Sequence, residues 1–190
     1  MEYHLQWRID GMKICINAGH APDGNPDPGA CNESLGVRES DISLSISYLV
    51  KKYLQNVGYE INLIQSDSLQ EICDTANYWG ADLFISIHCN SADSKEANGT
   101  EVWAYAMSEQ SHKIAQAIYT QIVTALNTTD RGVKKAIPGV NGLYVLTHTN
   151  MIACLVETAF ISNDKDAQLL INKQDDFARA IARGVTDYEI

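Results

Sequence analysis

Three polar side chains each follow a short apolar segment, at positions where a folded chain could bring them together. His20 comes directly after the first such segment (NAGH), His88 ends the most apolar one (SIHCN), and Glu157 ends a third (VET). Ligands of open α/β sheets bind beyond the carboxyl ends of the strands. We therefore predict that His20, His88 and Glu157 converge at one edge of a sheet.

Glu39 is a fourth candidate because of its position on a predicted helix. It precedes Ile42 by three residues and Ile46 by seven, which places its side chain on the apolar stripe that faces the core. A buried carboxylate is costly unless it is paired or bound to a metal ion. The alternative is that Glu39 only interacts with the dipole and free N–H groups of the helix start.

The types of these four residues are those of a hydrolytic metal site. Two histidines and one glutamate form the ligand set of many catalytic zinc sites, which keep one position open for water or substrate. Zinc can lower the pKa of water to about 7 and polarise a carbonyl group. Hydrolysis also needs a general base that is not a ligand, and Glu157 fits that role. We assign the other histidines no role in the metal site. His4 lies in an N-terminal extension, His112 is expected to be solvated, and His148 is expected in a surface loop or at the cleft.

The strands and helices that position these residues are predicted from the spacing of apolar residues along the chain. Short apolar runs indicate strands, and apolar residues spaced by three and four indicate helices. Alternating strands and helices predict one α/β domain with a largely parallel, twisted sheet flanked by helices. The strands are expected at 13–17, 59–64, 82–88, 100–105, 143–146 and 153–158. Helices are expected at 39–56 (ended by Gly58), around 69–79, around Ile114–Ala125 and towards the C-terminus, with one long loop at 19–36.

The composition limits the classes of partner. The 190 residues are 45% hydrophobic with a net charge of -10, which argues against nucleic acid or a membrane surface held by charge. The five cysteines contain no C-x-x-C pair, so we expect no disulfide framework, and Cys15, Cys89 and Cys154 are expected in the core. Residues 1–12 are interpreted as an extension without a signal peptide, and 13–190 as the domain.

Several ordered segments resemble a known family. The matching segments run from about Lys13 to Tyr188, and the chain is similar over them to the zinc-dependent N-acetylmuramoyl-L-alanine amidases of the Amidase_3 class. That class includes autolysins, sporulation lysins and phage endolysins. The segments are INAGH, DPGA, RESDISL, ANYWGADLFISIHCNSA, NGTEVW, RGVK, LYVLTHT and LVETAFISN.

The resemblance implies a specific chemistry. It implies one zinc ion held by His20, Glu39 and His88, with Glu157 as general acid/base in hydrolysis of the amide bond between N-acetylmuramic acid and L-alanine by zinc-activated water. Peptidoglycan is then the substrate, and we expect a monomer made in the cytoplasm that acts on the bacterial wall. It would be an endolysin, a lysin released by another route, or a domain of an exported autolysin. Asn90 and Asn163 match motif positions and are expected to have structural roles.

Two other functions remain open from the sequence. A zinc peptidase that cuts within the stem peptide would use the same ligands, and a non-catalytic wall-binding module would keep the fold. The chain also departs from the family pattern in the longer loop APDGNPDPGA after His20, in Ile72 where the family has Arg, and in Ile152 where it has Pro. These departures concern substrate preference.

Overall fold

The computed structural model describes residues 11–188. His4 and most of the proposed extension 1–12 therefore lie outside the described residues. The strands are β1 (Lys13–Ala18), β2 (Cys31–Asn32), β3 (Val37–Arg38), β4 (Glu60–Gln65), β5 (Leu83–Asn90), β6 (Thr100–Tyr105), β7 (Asp130–Ala136) and β8 (Ile152–Phe160). The helices are α1 (Glu39–Asn56), α2 (Leu69–Trp79), α3 (Glu109–Leu126), α4 (Tyr144–His148), α5 (Asp164–Asn172) and α6 (Gln174–Asp187).

Six strands form one mixed sheet in the order β4-β1-β5-β8-β6-β7. The first four are parallel to one another, whereas β6 runs antiparallel to β8 and β7 runs parallel to β6. The prediction of a single α/β domain with a mostly parallel sheet is confirmed. The reversal at β6 brings the start of that strand beside the end of β8.

Helices cover both faces of the sheet, as predicted. Side chains alternate between the faces along a strand, so Ile85 and Ile87 of β5 pack on one side and Phe84 on the other. The larger core lies under α1, α3 and α6, and the smaller core lies under α2 and α4. Cys15, Cys89 and Cys154 are buried, as expected.

The helix boundaries follow local signals. Helix α1 spans 39–56 as predicted, and Gly58 follows it with a positive φ of 102°. Ser68 caps the start of α2 by accepting from the N–H of Glu71, and Gly80 ends that helix in the left-handed conformation. No helix in residues 11–188 is long and apolar enough to span a membrane.

The structure differs from the predicted elements in three places. Residues 143–146 belong mostly to the short helix α4 rather than to a strand, because Val145 and Leu146 pack as adjacent helical residues against the smaller core. Strand β7 was not predicted, since this edge strand is polar and largely half-exposed (DRGVKKA). The segment 19–36 contains a 3-10 turn and β2 of the β2–β3 hairpin, so it is only partly a loop.

Candidate active site

His20 lies two residues beyond β1, and the backbone around it is tied to β5. The N–H of Gly19 donates to the carbonyl of Ile87 at 3.0 Å, and His20 itself has a φ of 66°. A side chain at Gly19 would place its Cβ 2.5 Å from the His88 ring. Glycine at position 19 therefore leaves room for the His88 ring, which meets the His20 ring edge to face with ring centroids 5.1 Å apart.

Glu39 is the first residue of α1 and is only 4% exposed. Its carboxylate accepts from the backbone N–H groups of Ala30 and Cys89, each at 3.0 Å. These contacts reach β5 and the segment before β2, so the alternative in which Glu39 serves only its own helix start is not what the contacts show. The burial predicted from the apolar stripe is confirmed.

His20, Glu39 and His88 come together as one cluster. His20 Nε2 lies 2.9 Å from Glu39 Oε2, and His88 Nδ1 lies 2.9 Å from Glu39 Oε1. One ligand atom from each residue lies within 4.8 Å of the others. Two imidazole nitrogens and a carboxylate oxygen at this spacing could hold a single metal ion.

Burial and hydrogen-bond partners shift the pKa values of Glu39 and His20 in opposite directions. Burial raises the pKa of Glu39, but hydrogen bonds from His20 and His88 outweigh it and bring the pKa to about 2. Burial lowers the pKa of His20, but hydrogen bonds to Glu39 and Asp27 outweigh it and raise that pKa to about 9. The partners Glu39 and Asp27 thus favour the protonated form of His20.

Asp27 is a residue that sequence reasoning did not assign. Its Oδ2 lies 2.7 Å from His20 Nδ1, and its Oδ1 accepts from the N–H of Gly29 at 2.9 Å. A carboxylate on the outer nitrogen of a ligating histidine fixes the tautomer and the ring orientation. The DPGA segment that contains Asp27 was the available signal.

Glu157 lies beside the cluster but is not part of it. It is the register partner of His88 in β5 and of Glu101 in β6. The residue is half-buried, and its Oε2 is shielded from solvent without a hydrogen-bond partner in the described structure. Burial raises the pKa of Glu157 to about 7, with His88 opposing the shift and Glu39 and Glu101 adding to it.

The predicted convergence of His20, His88 and Glu157 is thus confirmed, with one correction. His88 and Glu157 do not end their strands, because β5 continues to Asn90 and β8 to Phe160. A register shift between His88 and Asn90 marks the place where the two strands bend past each other. The site is therefore formed on one face of the sheet near the strand ends.

The family profile of N-acetylmuramoyl-L-alanine amidase (Amidase_3) matches residues 14–187. The chain belongs to this amidase family. It is 36% identical to the uncharacterized protein YqiI of Bacillus subtilis over 188 residues. This aligned region covers 95% of the chain and 86% of that relative. It is also 36% identical to the amidase LytC of the same organism, over 95% of the chain and 36% of LytC.

Solved structures agree with this membership. An N-acetylmuramoyl-L-alanine amidase from Clostridium difficile 630 superimposes with a TM-score of 0.83 at 28% identity, over 94% of the chain and 97% of that structure. The catalytic domain of the amidase CwlV from Bacillus (Paenibacillus) polymyxa has a TM-score of 0.81 at 29% identity, over 93% and 97%. The mixed sheet is therefore that of the amidase family.

The remaining candidate residues lie elsewhere in the amidase fold. His148 is exposed and stacks on Tyr144, so the surface position is confirmed. His112 is half-buried with Nε2 shielded from solvent, and burial lowers its pKa, so the prediction of a solvated side chain is wrong. Asn163 caps α5, and Asn90 accepts from the N–H of Ser91, as expected for structural roles.

We expect loss of the Asp27 carboxylate to weaken zinc binding in this amidase. Asp27→Ala should lower the affinity about 10- to 100-fold, the usual cost of losing an outer partner of a ligating histidine. Asp27→Asn should cost less, because an amide oxygen can still accept from His20 Nδ1 at the present spacing. Competition against chelators of graded strength measures both. Equal affinity in Asp27→Ala and the parent protein would show that Asp27 does not orient His20.

Zinc binding should release a proton. The pKa of His20 is raised to about 9, so His20 is protonated at pH 7 and must lose its proton to become a ligand. The number of protons released should fall as the pH rises through about 9, where His20 is already neutral. Calorimetric titrations in buffers of different ionisation enthalpy give this number. Zinc binding at pH 7 without proton release would contradict the prediction.

Proposed function

We propose that His20, Glu39 and His88 hold one zinc ion and that Glu157 transfers protons in hydrolysis of the amide bond between N-acetylmuramic acid and L-alanine of peptidoglycan. The supporting observation is the placement of Glu157: it is the register partner of the ligand candidate His88, yet it is not one of the clustered ligands. A metal site beside a separate carboxylate can supply both the activated water and the proton transfers of metal-assisted amide hydrolysis.

The ligand set favours zinc over harder cations. Imidazole nitrogens suit zinc, whereas calcium and magnesium take oxygen ligands. Bound at this cluster, zinc supplies a Lewis acid that lowers the pKa of water and polarises a carbonyl. The buried Glu39 carboxylate, with two backbone N–H groups and two imidazoles around it, is held in place before any ion binds.

Glu157 supplies the proton transfers. Its carboxylate accepts the proton of the attacking water and then gives that proton to the leaving nitrogen of L-alanine as the C–N bond breaks. The unpartnered Oε2 fits this role, because a carboxylate oxygen without a structural hydrogen bond is free to exchange a proton. Its shielding from solvent limits competition from bulk water.

Product analysis tests the proposal against its two alternatives. The protein is incubated with purified peptidoglycan, with and without a zinc chelator, and the products are identified by mass spectrometry. We expect chelator-sensitive release of intact stem peptides with a free L-alanine amino terminus. Cleavage within the stem peptide would indicate the peptidase, and no product from any wall type, despite bound zinc, would indicate a non-catalytic module.

We extend the proposal to the working unit and its place of action. Residues 13–190 form the catalytic domain, which acts as a monomer on the bacterial cell wall. Similarity to an endolysin of Bacillus phage SPP1, 35% identical over 90% of the chain and 62% of that protein, supports a wall substrate. The large exposed apolar side chains of residues 11–188 are spread over several helices and loops. This spread differs from the contiguous apolar patch that marks an interface, which supports a monomer. Light scattering of the purified protein tests the monomer.

A further inference from the structure

An ion pair between a buried carboxylate and a partly exposed arginine lies next to Glu157 on the neighbouring strands. Glu101 of β6 is the register partner of Glu157 and is 6% exposed. Arg131 of β7 donates from Nε to Glu101 Oε2 at 2.8 Å, and Trp103 donates from Nε1 to Glu101 Oε1 at 3.2 Å. Both carboxylate oxygens of Glu101 therefore accept a hydrogen bond within the protein, and one of these bonds orients Arg131.

Arg131 is fixed from a second direction by an aromatic ring. Its guanidinium carbon lies 4.6 Å from the centroid of Phe160, which pairs with Asn90 two residues beyond His88. Residues directly opposite each other on paired strands have their side chains on the same face of the sheet. Residues two apart along one strand also share a face. The guanidinium thus lies on the face that carries His88 and Glu157, at the same end of the sheet.

The outer part of this guanidinium is free for a ligand. The side chain is 35% exposed, and in residues 11–188 its two Nη groups make no hydrogen bond to protein. A guanidinium held by one nitrogen and a ring face presents its remaining N–H groups in a fixed direction, which suits a carboxylate. The carboxylates of Glu101 and its register partner Glu157 would otherwise repel such a ligand.

We propose, building on the amidase function above, that Arg131 binds a free carboxylate of the stem peptide at the second residue, next to L-alanine. The strand spacing supports this position: Glu101 lies one strand from Glu157, about 4.8 Å away, and the guanidinium that contacts it lies slightly farther. An extended peptide advances about 3.3–3.6 Å per residue, so a distance slightly above about 4.8 Å corresponds to about one and a half residues, which reaches from the scissile bond past L-alanine to the second residue. Arg131 is then a specificity-determining residue.

The test compares two muropeptides that differ only at the second residue, one with a D-glutamate carboxylate and one with the amide. We expect the parent protein to favour the carboxylate in kcat/KM by about 10- to 100-fold, the range for hydrogen bonds to charged groups. In Arg131→Gln this preference should fall towards one, and Arg131→Lys should keep part of it. The double variant Glu101→Gln/Arg131→Gln repeats the test without an unpaired buried carboxylate at 101.

Arg179 provides a matched control on another surface. It also pairs with a carboxylate, Asp175 at 2.7 Å, and lies over an aromatic ring, Tyr53 at 5.1 Å. Arg179→Gln should keep the full preference for the carboxylate substrate. Binding of the released peptide and of its amide to Glu157→Gln, measured by calorimetry, should show the same preference without turnover.

The outcomes separate this inference from the function on which it rests. Equal kcat/KM of the parent protein for both muropeptides would overturn the assignment of Arg131, as would an equal loss on both in Arg131→Gln. In either case the amidase function stands, because L-alanine amino termini are still released. Failure of the parent protein to release them from either muropeptide would instead reject the proposed function, and the assignment with it.

Discussion

Glu157→Gln should abolish most turnover while the protein still binds zinc. The substitution keeps the size of the side chain but removes the group that accepts and donates the proton, and general acid–base catalysis contributes about 10²- to 10⁴-fold. Glu157→Ala should behave likewise. Turnover on purified peptidoglycan and metal content by mass spectrometry are measured on the same sample. The exposed Glu109→Gln serves as a control that should retain both.

The same substitution should stabilise the metal-free fold, and the effect should depend on pH. The folded-state pKa of Glu157 is raised to about 7, so its ionisation costs free energy that grows as the pH rises from about 4.5 through 7. At pH 8, Glu157→Gln should remove that cost, on the order of 3 kcal/mol, whereas below about pH 4.5 it should change little. Thermal unfolding of the protein in the presence of a chelator, at pH 8 and at about pH 4.5, measures this change in stability.

These two results together distinguish a functional carboxylate from a structural one. A variant that unfolds at higher temperature yet turns over far more slowly shows that the protein carries Glu157 at a cost in stability. If Glu157→Gln keeps most of its turnover, the role assigned to Glu157 is wrong. If it loses zinc instead, Glu157 contributes to the metal site and not only to proton transfer.

His88→Ala should lose the metal ion and the activity together. His88 supplies one of the three clustered ligand atoms, so we expect zinc affinity to fall by more than the about 10- to 100-fold typical of losing an outer partner. Zinc content after dialysis and chelator competition measure the loss.

His148→Ala is the matched control for this prediction. His148 is an exposed histidine that stacks on Tyr144 and does not belong to the metal cluster of the described residues. The control should retain one zinc ion per chain and near-parental activity. Parental zinc content in His88→Ala would mean that His88 is not a ligand, and the metal site would have to be reassigned.

The candidate site residues could be identified from the sequence where the pattern of neighbouring residues points to them. Glu39 is identifiable because a carboxylate on an apolar helical stripe needs a partner, and the structure supplies two imidazoles and two N–H groups. His20, His88 and Glu157 are identifiable because each adjoins a buried strand. Strand type and order then bring them to one edge.

The rest depends on contacts that periodicity does not encode. Asp27 acts through a loop conformation, and Glu101 with Arg131 acts through the pairing of β6 with β8 and β7. Strand β7 lacks an apolar run because it is an edge strand, and short apolar runs such as 143–146 fit a helix and a strand equally well. Such features follow from tertiary structure.

The reversed direction of β6 and β7 concentrates chain connections around the site. The segments 19–30, 66–68, 91–99, 127–129 and 161–163 all lie at the edge of the sheet where β1, β4, β5 and β8 end and β6 and β7 begin. Insertions or deletions in these connections change the walls around the metal cluster without altering a single strand pairing. One scaffold can therefore accept walls of different chemistry by varying loop length, while His88 and Glu157 stay on the sheet, Glu39 stays on the first turn of α1 and His20 stays two residues beyond β1.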